Sequence, residues 1–204
     1  MPKVFNHTED LCKGLRYVRP ALGYHPELVA KYPDQISVFA ALLNRTRYIG
    51  EIGLDNLRKS PEDYRQQKNV FRDIIELCGS APGKILSVHS RRSELDVIET
   101  IGDNFPGKVI LHWFSGSLKL AEMAATHGFY FSVNLNMTKS ENGKRLIDAI
   151  PAERILLETD GPFTTLNDSP CLPNITRLIK EEIEKIKTGP LNIDQNFKNL
   201  VAIK

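Results

Sequence analysis

The feature that most constrains this chain is an alternation that runs along nearly all of it. Short apolar runs, "RYVRPALGY", "RTRYIGE", "KILSVH", "KVILHWF", "GFYFSVN" and "RILLETD", are separated by longer segments with helical spacing. Runs this short, opened by a basic residue or glycine, read as buried strands. The segments between them, "PELVAKYPDQISVFAALLN", "PEDYRQQKNVFRDIIELCG", "SELDVIETIGD", "SLKLAEMAATHG" and "GKRLIDAI", read as helices; in the second, Tyr64, Val70, Phe71, Ile74 and Leu77 fall near helical spacing. Ser60-Pro61 and Ser93 mark helix starts, and Gly79, Gly83 and Gly128 mark helix ends. Strand and helix in alternation imply βα units and a parallel sheet of about six strands. After Asp160 a loop, "GPFTTLNDSPCLPN", leads into a charged helix, "ITRLIKEEIEKIKTG", and a closing "NIDQNFKNLVAIK".

With 204 residues, 41% of them hydrophobic, the chain can bury a substantial core, and residues 1–204 read as one domain without repeat or linker. A net charge of +2 is too small to argue for a nucleic-acid partner by itself. Cys12, Cys78 and Cys171 are an odd, widely spaced set without a CxxC pair, which suits reduced thiols in the cytoplasm. No apolar run approaches the roughly 20 residues of a membrane span, and the first residues lack the apolar core of a signal peptide.

Four of the expected strands end on a residue able to bind metal or move a proton: Glu51, His89, His112 and Asp160. In a parallel barrel the C-terminal strand ends converge on one face, so residues distant in sequence meet there. Two imidazoles and two carboxylates form a mixed nitrogen and oxygen donor set suited to zinc, manganese or a similar ion, which lowers the pKa of bound water. A single strand-end histidine is ordinarily a satisfied structural residue, but four such endings among about six strands weigh against that reading. His25, in "GYHPE", either lines the same mouth or caps the turn before Pro26. Arg91 and Arg92 could hold a phosphate at a helix start or simply be solvated. Trp113 beside His112 could stack on a base or pack. His7 and His127 read as structural, and Cys78 as core.

The motifs "IGEIGLD", "VHSRRS", "ILHWFSGS" and "LLETDGPF", in that order, with "ALGYHP" upstream and "NFKNL" near the end, resemble the TatD family of metal-dependent deoxyribonucleases. The resemblance is strongest over residues 21–204, and its variants are most similar to the TatD-like nucleases of the Qat anti-phage system. It implies a (β/α)8 TIM barrel of the amidohydrolase type, DNA as substrate, and two divalent ions, Zn, Mg or Mn. Glu51 would bridge the ions, His89 and His112 would complete one metal site, and Asp160 would bind the other metal and help activate water. His25, Arg91 and Trp113 would be substrate contacts.

The chain departs from the family pattern in one respect. Family members begin with a strand carrying a His-x-His pair, and no His-x-His occurs here. The expectation is an incomplete barrel lacking its first two strands, with residues 1–20 a remnant of the segment after the second strand. One metal site would be nearly whole and the other would keep only Glu51 and Asp160, with impaired activity. An alternative is a weakened fragment acting as a binding or assembly component beside neighbouring defence-system proteins. A third reading keeps the amidohydrolase barrel but cleaves amides or lactones, often with a strand-end lysine ligand; Glu51 in that place favours the nuclease branch.

Overall fold

The computed structural model describes residues 1–57 and 59–202. The described residues divide into two compact units, Met1–Ile110 and residues 111–202. Among the described residues, five strands form one sheet in the order β1-β2-β3-β4-β5, and a second sheet holds β6 and β7. Strands consecutive in sequence are neighbours in the sheet, as repeated βα units require. A closed (β/α)8 barrel has eight strands; the described sheet has five. No helix among the described residues is long and apolar enough to cross a membrane.

The first unit contains α1 (Phe5–Cys12), α2 (Ile36–Leu42), β1 (Tyr48–Asp55), α3 (Pro61–Gly79), β2 (Ile85–Arg91) and α4 (Glu94–Ile101), and the chain leaves it within β3 (Lys108–His112). β1 and β2 are parallel, from Tyr48 opposite Ile85 to Asp55 opposite Arg91, with a register shift between Ile49 and Ile52. α3 starts where its sequence signals fall: the Ser60 hydroxyl accepts the Asp63 amide, Pro61 needs no N–H partner, and Glu62 and Asp63 face the positive helix end. Its inner face buries Phe71, Ile74, Ile75 and Cys78.

Buried Lys84 precedes β2, and its Nζ donates to the carbonyls of Leu43 at 2.6 Å and Thr46 at 2.9 Å. The ammonium thereby ties the start of β2 to the turn that feeds β1. Desolvation lowers its pKa.

Two expectations need correction in this unit. The strand expected at "RYVRPALGY" is a single parallel bridge, Leu22 to Ile49, made by Leu22 N to the Tyr48 carbonyl and Gly50 N to the Leu22 carbonyl, both 2.9 Å. Pro20 has no amide to extend that ladder. The helix expected over "PELVAKYPDQISVFAALLN" is a 3-10 turn at Pro26–Leu28 followed by α2. Pro33 disfavours helical backbone at Tyr32, and Asp34 has φ of 63°.

The second unit contains α5 (Leu118–Thr126), β4 (Tyr130–Val133), α6 (Leu135–Lys139), α7 (Glu141–Ala149), β5 (Ile155–Leu157), β6 (Thr165–Leu166), β7 (Ser169–Pro170), α8 (Thr176–Lys187) and α9 (Ile193–Val201). β4 and β5 are parallel, Phe131 opposite Ile155 through Val133 opposite Leu157. All four residues of β4 are buried. Phe114 and Phe131 meet edge to face at 5.5 Å. Asn196, within "NFKNL", is buried and donates its amide to the carbonyls of Ala152 and Ile155 at 2.8 Å each, anchoring α9 beside β5. The segment after Asp160, read as an irregular loop, contains the β6–β7 hairpin, and the last two residues of the closing segment lie outside the described residues.

Candidate functional site

Glu51 does not end its strand. β1 continues to Asp55, and Glu51 sits in the register shift between Ile49 and Ile52, where regular pairing with β2 is interrupted. Such an irregularity re-aims a side chain that an unbroken strand would direct by simple alternation. One donor atom from each of His25, Glu51 and His89 lies within 4.8 Å of the others. His25 Nε2 is 3.5 Å from Glu51 Oε2, and the His25 and His89 rings lie 4.9 Å apart, tilted by 55°.

His89 is likewise inside β2, two residues before its end. Its Nε2 lies 3.0 Å from Asp55 Oδ2. A carboxylate can only accept, so the partner assigns the proton to Nε2 and leaves the lone pair on Nδ1. Asp55 is held firmly: it is 1% exposed, its amide donates to Gln67 Oε1 at 2.8 Å, and its Oδ1 accepts the Leu57 amide at 2.8 Å. Gly53, between Glu51 and Asp55, has φ of 129°, and a Cβ there would collide with the His89 carbonyl.

His25 is placed differently. It caps the 3-10 turn, its Nδ1 accepting the Glu27 amide at 3.3 Å. A neutral ring then carries its proton on Nε2, facing Glu51, so in this geometry His25 is a hydrogen-bond donor rather than a ligand. Burial lowers its pKa, the neighbouring His89 adds to that, and Glu51, Glu27 and Asp55 oppose it.

In the second unit, His112 ends β3. Its Nδ1 is 2.5 Å from Glu158 Oε2, and its Nε2 is 3.4 Å from Asp160 Oδ1. Glu158 collects further donors: the Trp113 amide at 3.2 Å, Asn134 Nδ2 at 3.0 Å and the Ser132 hydroxyl. These bonds fix the carboxylate against the imidazole, which places the His112 proton on Nδ1 and turns the Nε2 lone pair toward Asp160. Asp160 lies three residues past β5 with φ of 50°, and its carbonyl accepts the Thr164 amide at 3.1 Å.

Two imidazoles and two carboxylates are donor types that suit a divalent cation. Each of His89 and His112 has one ring nitrogen fixed on a carboxylate, that of Asp55 or Glu158, the arrangement that orients imidazole ligands. The carboxylates Glu51 and Asp160 supply the hard oxygen donors. The expected substrate contacts are less defined: Arg91, the exposed last residue of β2, Arg92, with φ of 53°, and half-buried Trp113, with φ of 39°, at the start of the loop after β3.

Asp55, Glu158, Ser132 and Asn134 were not singled out from the sequence. A faint signal existed for two of them. Asp55 is an acid directly after the apolar Ile52, Gly53 and Leu54 in "EIGLD", and Glu158 is an acid directly after the apolar run in "RILLETD". The roles of Ser132 and Asn134 depend on β4 lying beside β5, which local pattern does not convey.

A family model, TatD related DNase, matches residues 2–195. An uncharacterized metal-dependent hydrolase of Methanocaldococcus jannaschii is 29% identical over 171 residues, covering 81% of this chain and 66% of the relative. A putative deoxyribonuclease TATDN1 homolog of Encephalitozoon cuniculi is 29% identical over 161 residues, covering 78% of this chain and 57% of the relative. The chain thus spans about two thirds or less of the length of these relatives. The crystal structure of YjjV, a TatD homolog from Escherichia coli K12, superposes with a TM-score of 0.82 at 23% identity, over 98% of this chain and 80% of that one. That likeness shows the α/β TatD-like fold with its parallel sheet.

Proposed function

The chain belongs to the TatD-related DNase family, and on that premise we propose that it is a metal-dependent hydrolase of phosphodiester bonds in DNA. Glu51, His89, His112 and Asp160 serve as its metal ligands in this reading. The observation that carries it is His112, whose Nδ1 is fixed on Glu158 while Nε2 points at Asp160. A histidine that only packed would have no need of a carboxylate on each side of its ring. The names of relatives such as the Encephalitozoon protein support DNA as the substrate.

A bound divalent ion supplies Lewis-acid polarisation of a phosphoryl oxygen and a hydroxide at neutral pH. The chain's own residues do the rest. Asp55 and Glu158 hold the imidazole protons in place, Asp160 accepts a proton from the attacking water, and Glu51 supplies the second carboxylate charge. His25 donates from Nε2 toward the substrate side of Glu51, and Arg91 and Trp113 contact the nucleic acid. Because the chain has no His-x-His, it holds nearer one ion than two and turns over slowly. The motif variants further support a place beside the Qat-type defence nucleases, acting in the cytoplasm.

The test is cleavage of fluorescent DNA by the purified chain with Mn2+, Mg2+ or Zn2+ and after chelation. Activity restored by metal and lowered at least 100-fold in His112→Ala and Asp160→Asn is expected, since each removes a ligand. Cleavage indifferent to chelation would overturn the proposal.

A further inference from the structure

The segment that follows Asp160 displays apolar surface from a pinned backbone. Phe163 is 82% exposed and Leu172 is 60% exposed, although each would gain by burial. Neither lies on a loose strap. Thr164, 1% exposed, is held by its amide on the Asp160 carbonyl at 3.1 Å and by its hydroxyl on the Thr159 carbonyl. The Cys171 amide donates to the Thr164 carbonyl at 2.9 Å, and Gly161 packs so closely on the Cys171 carbonyl that a Cβ would not fit.

These contacts extend the β6–β7 ladder, in which Thr165 faces Pro170 and Leu166 faces Ser169. The positions flanking the Thr164–Cys171 step are Phe163 and Leu172, so the two exposed apolar residues stand at the same end of the hairpin. That end begins three residues after Asp160. An aromatic face held rigidly in water beside a candidate metal ligand has a ready use, because every nucleobase offers a π-face to stack on.

We propose that Phe163, edged by Leu172, is a base-stacking platform that holds the nucleotide next to the phosphodiester at Asp160. The platform rests on the DNA substrate proposed above. It adds to that reading a residue that recognises the base through its face.

The test uses the full chain with Mn2+ and phosphorothioate oligonucleotides that resist cleavage, bearing either 2-aminopurine or an abasic sugar beside the target linkage. Wild type should bind the base-bearing oligonucleotide about tenfold more tightly and quench its fluorescence. Phe163→Ala should bind both alike, and Phe163→Tyr should keep the preference. Leu172→Ser, on the neighbouring position, should weaken the preference too and serves if Phe163→Ala folds poorly by circular dichroism. A wild type that binds both oligonucleotides equally, or a Phe163→Ala that keeps the full preference, overturns the platform and leaves the DNA reading standing. A wild type that binds neither oligonucleotide overturns the DNA reading and the platform with it.

Discussion

At the scale of single residues, the candidate site depends on which nitrogen of each imidazole carries the proton. Asp55 settles this for His89 and Glu158 settles it for His112. Replacing Asp55 by Asn keeps the volume but lets the side chain present an N–H where a lone pair stood, so the His89 ring loses its fixed tautomer. Metal affinity should fall about 10- to 100-fold in Asp55→Asn with the fold retained, as measured by competitive titration with a chelating dye. Unaltered affinity would show that Asp55 does not position His89 for metal. The ligand candidates themselves were legible because His, Glu and Asp stand out in apolar runs. Their exact seats were not, since Glu51 and His89 lie inside strands that run past them. The carboxylates behind them were hidden because a hydrogen bond between distant strands leaves no mark on local periodicity.

At the scale of elements, alternation was a faithful guide wherever propensity and burial agree. α3 begins at the Ser60-Pro61 signal, and the strands at "KILSVH" and "GFYFSVN" appear as β2 and β4. It failed where proline interrupts a pattern of apolar residues, as at Pro20 and Pro33. Cys78 of α3 offers a test of how tightly this layer packs. Burial pushes its thiol pKa up to about 12 from 9, partly offset by the Lys84 charge. Between those values the unfolded chain releases a proton that the folded chain retains, so this group's contribution to stability falls as pH rises through that window. The slope is up to about 1.4 kcal/mol per pH unit. Lys84, with a lowered pKa, contributes the opposite slope below 10.5. Urea denaturation of wild type against Cys78→Ala at pH 8 and pH 10 keeps Lys84 on both sides of the comparison. The stability advantage of wild type should shrink at the higher pH, and an advantage that holds constant would show the thiol to be accessible.

At the scale of the whole molecule, each compact unit carries its own histidine set on carboxylate support: His89 on Asp55 in the first, His112 on Glu158 in the second. The α/β class and the parallel order of strands were readable from the sequence because βα repetition is a property of the entire chain. In the proposed function both histidines help hold divalent metal for hydrolysis. The most direct measurement is metal content by mass spectrometry of the purified chain after equilibration with Zn2+ or Mn2+, for wild type, His89→Ala and His112→Ala. Bound metal nearer one ion than two per chain is expected, with a clear loss in both variants while circular dichroism is unchanged. A chain that retains no metal, or variants that retain as much as wild type, would contradict it.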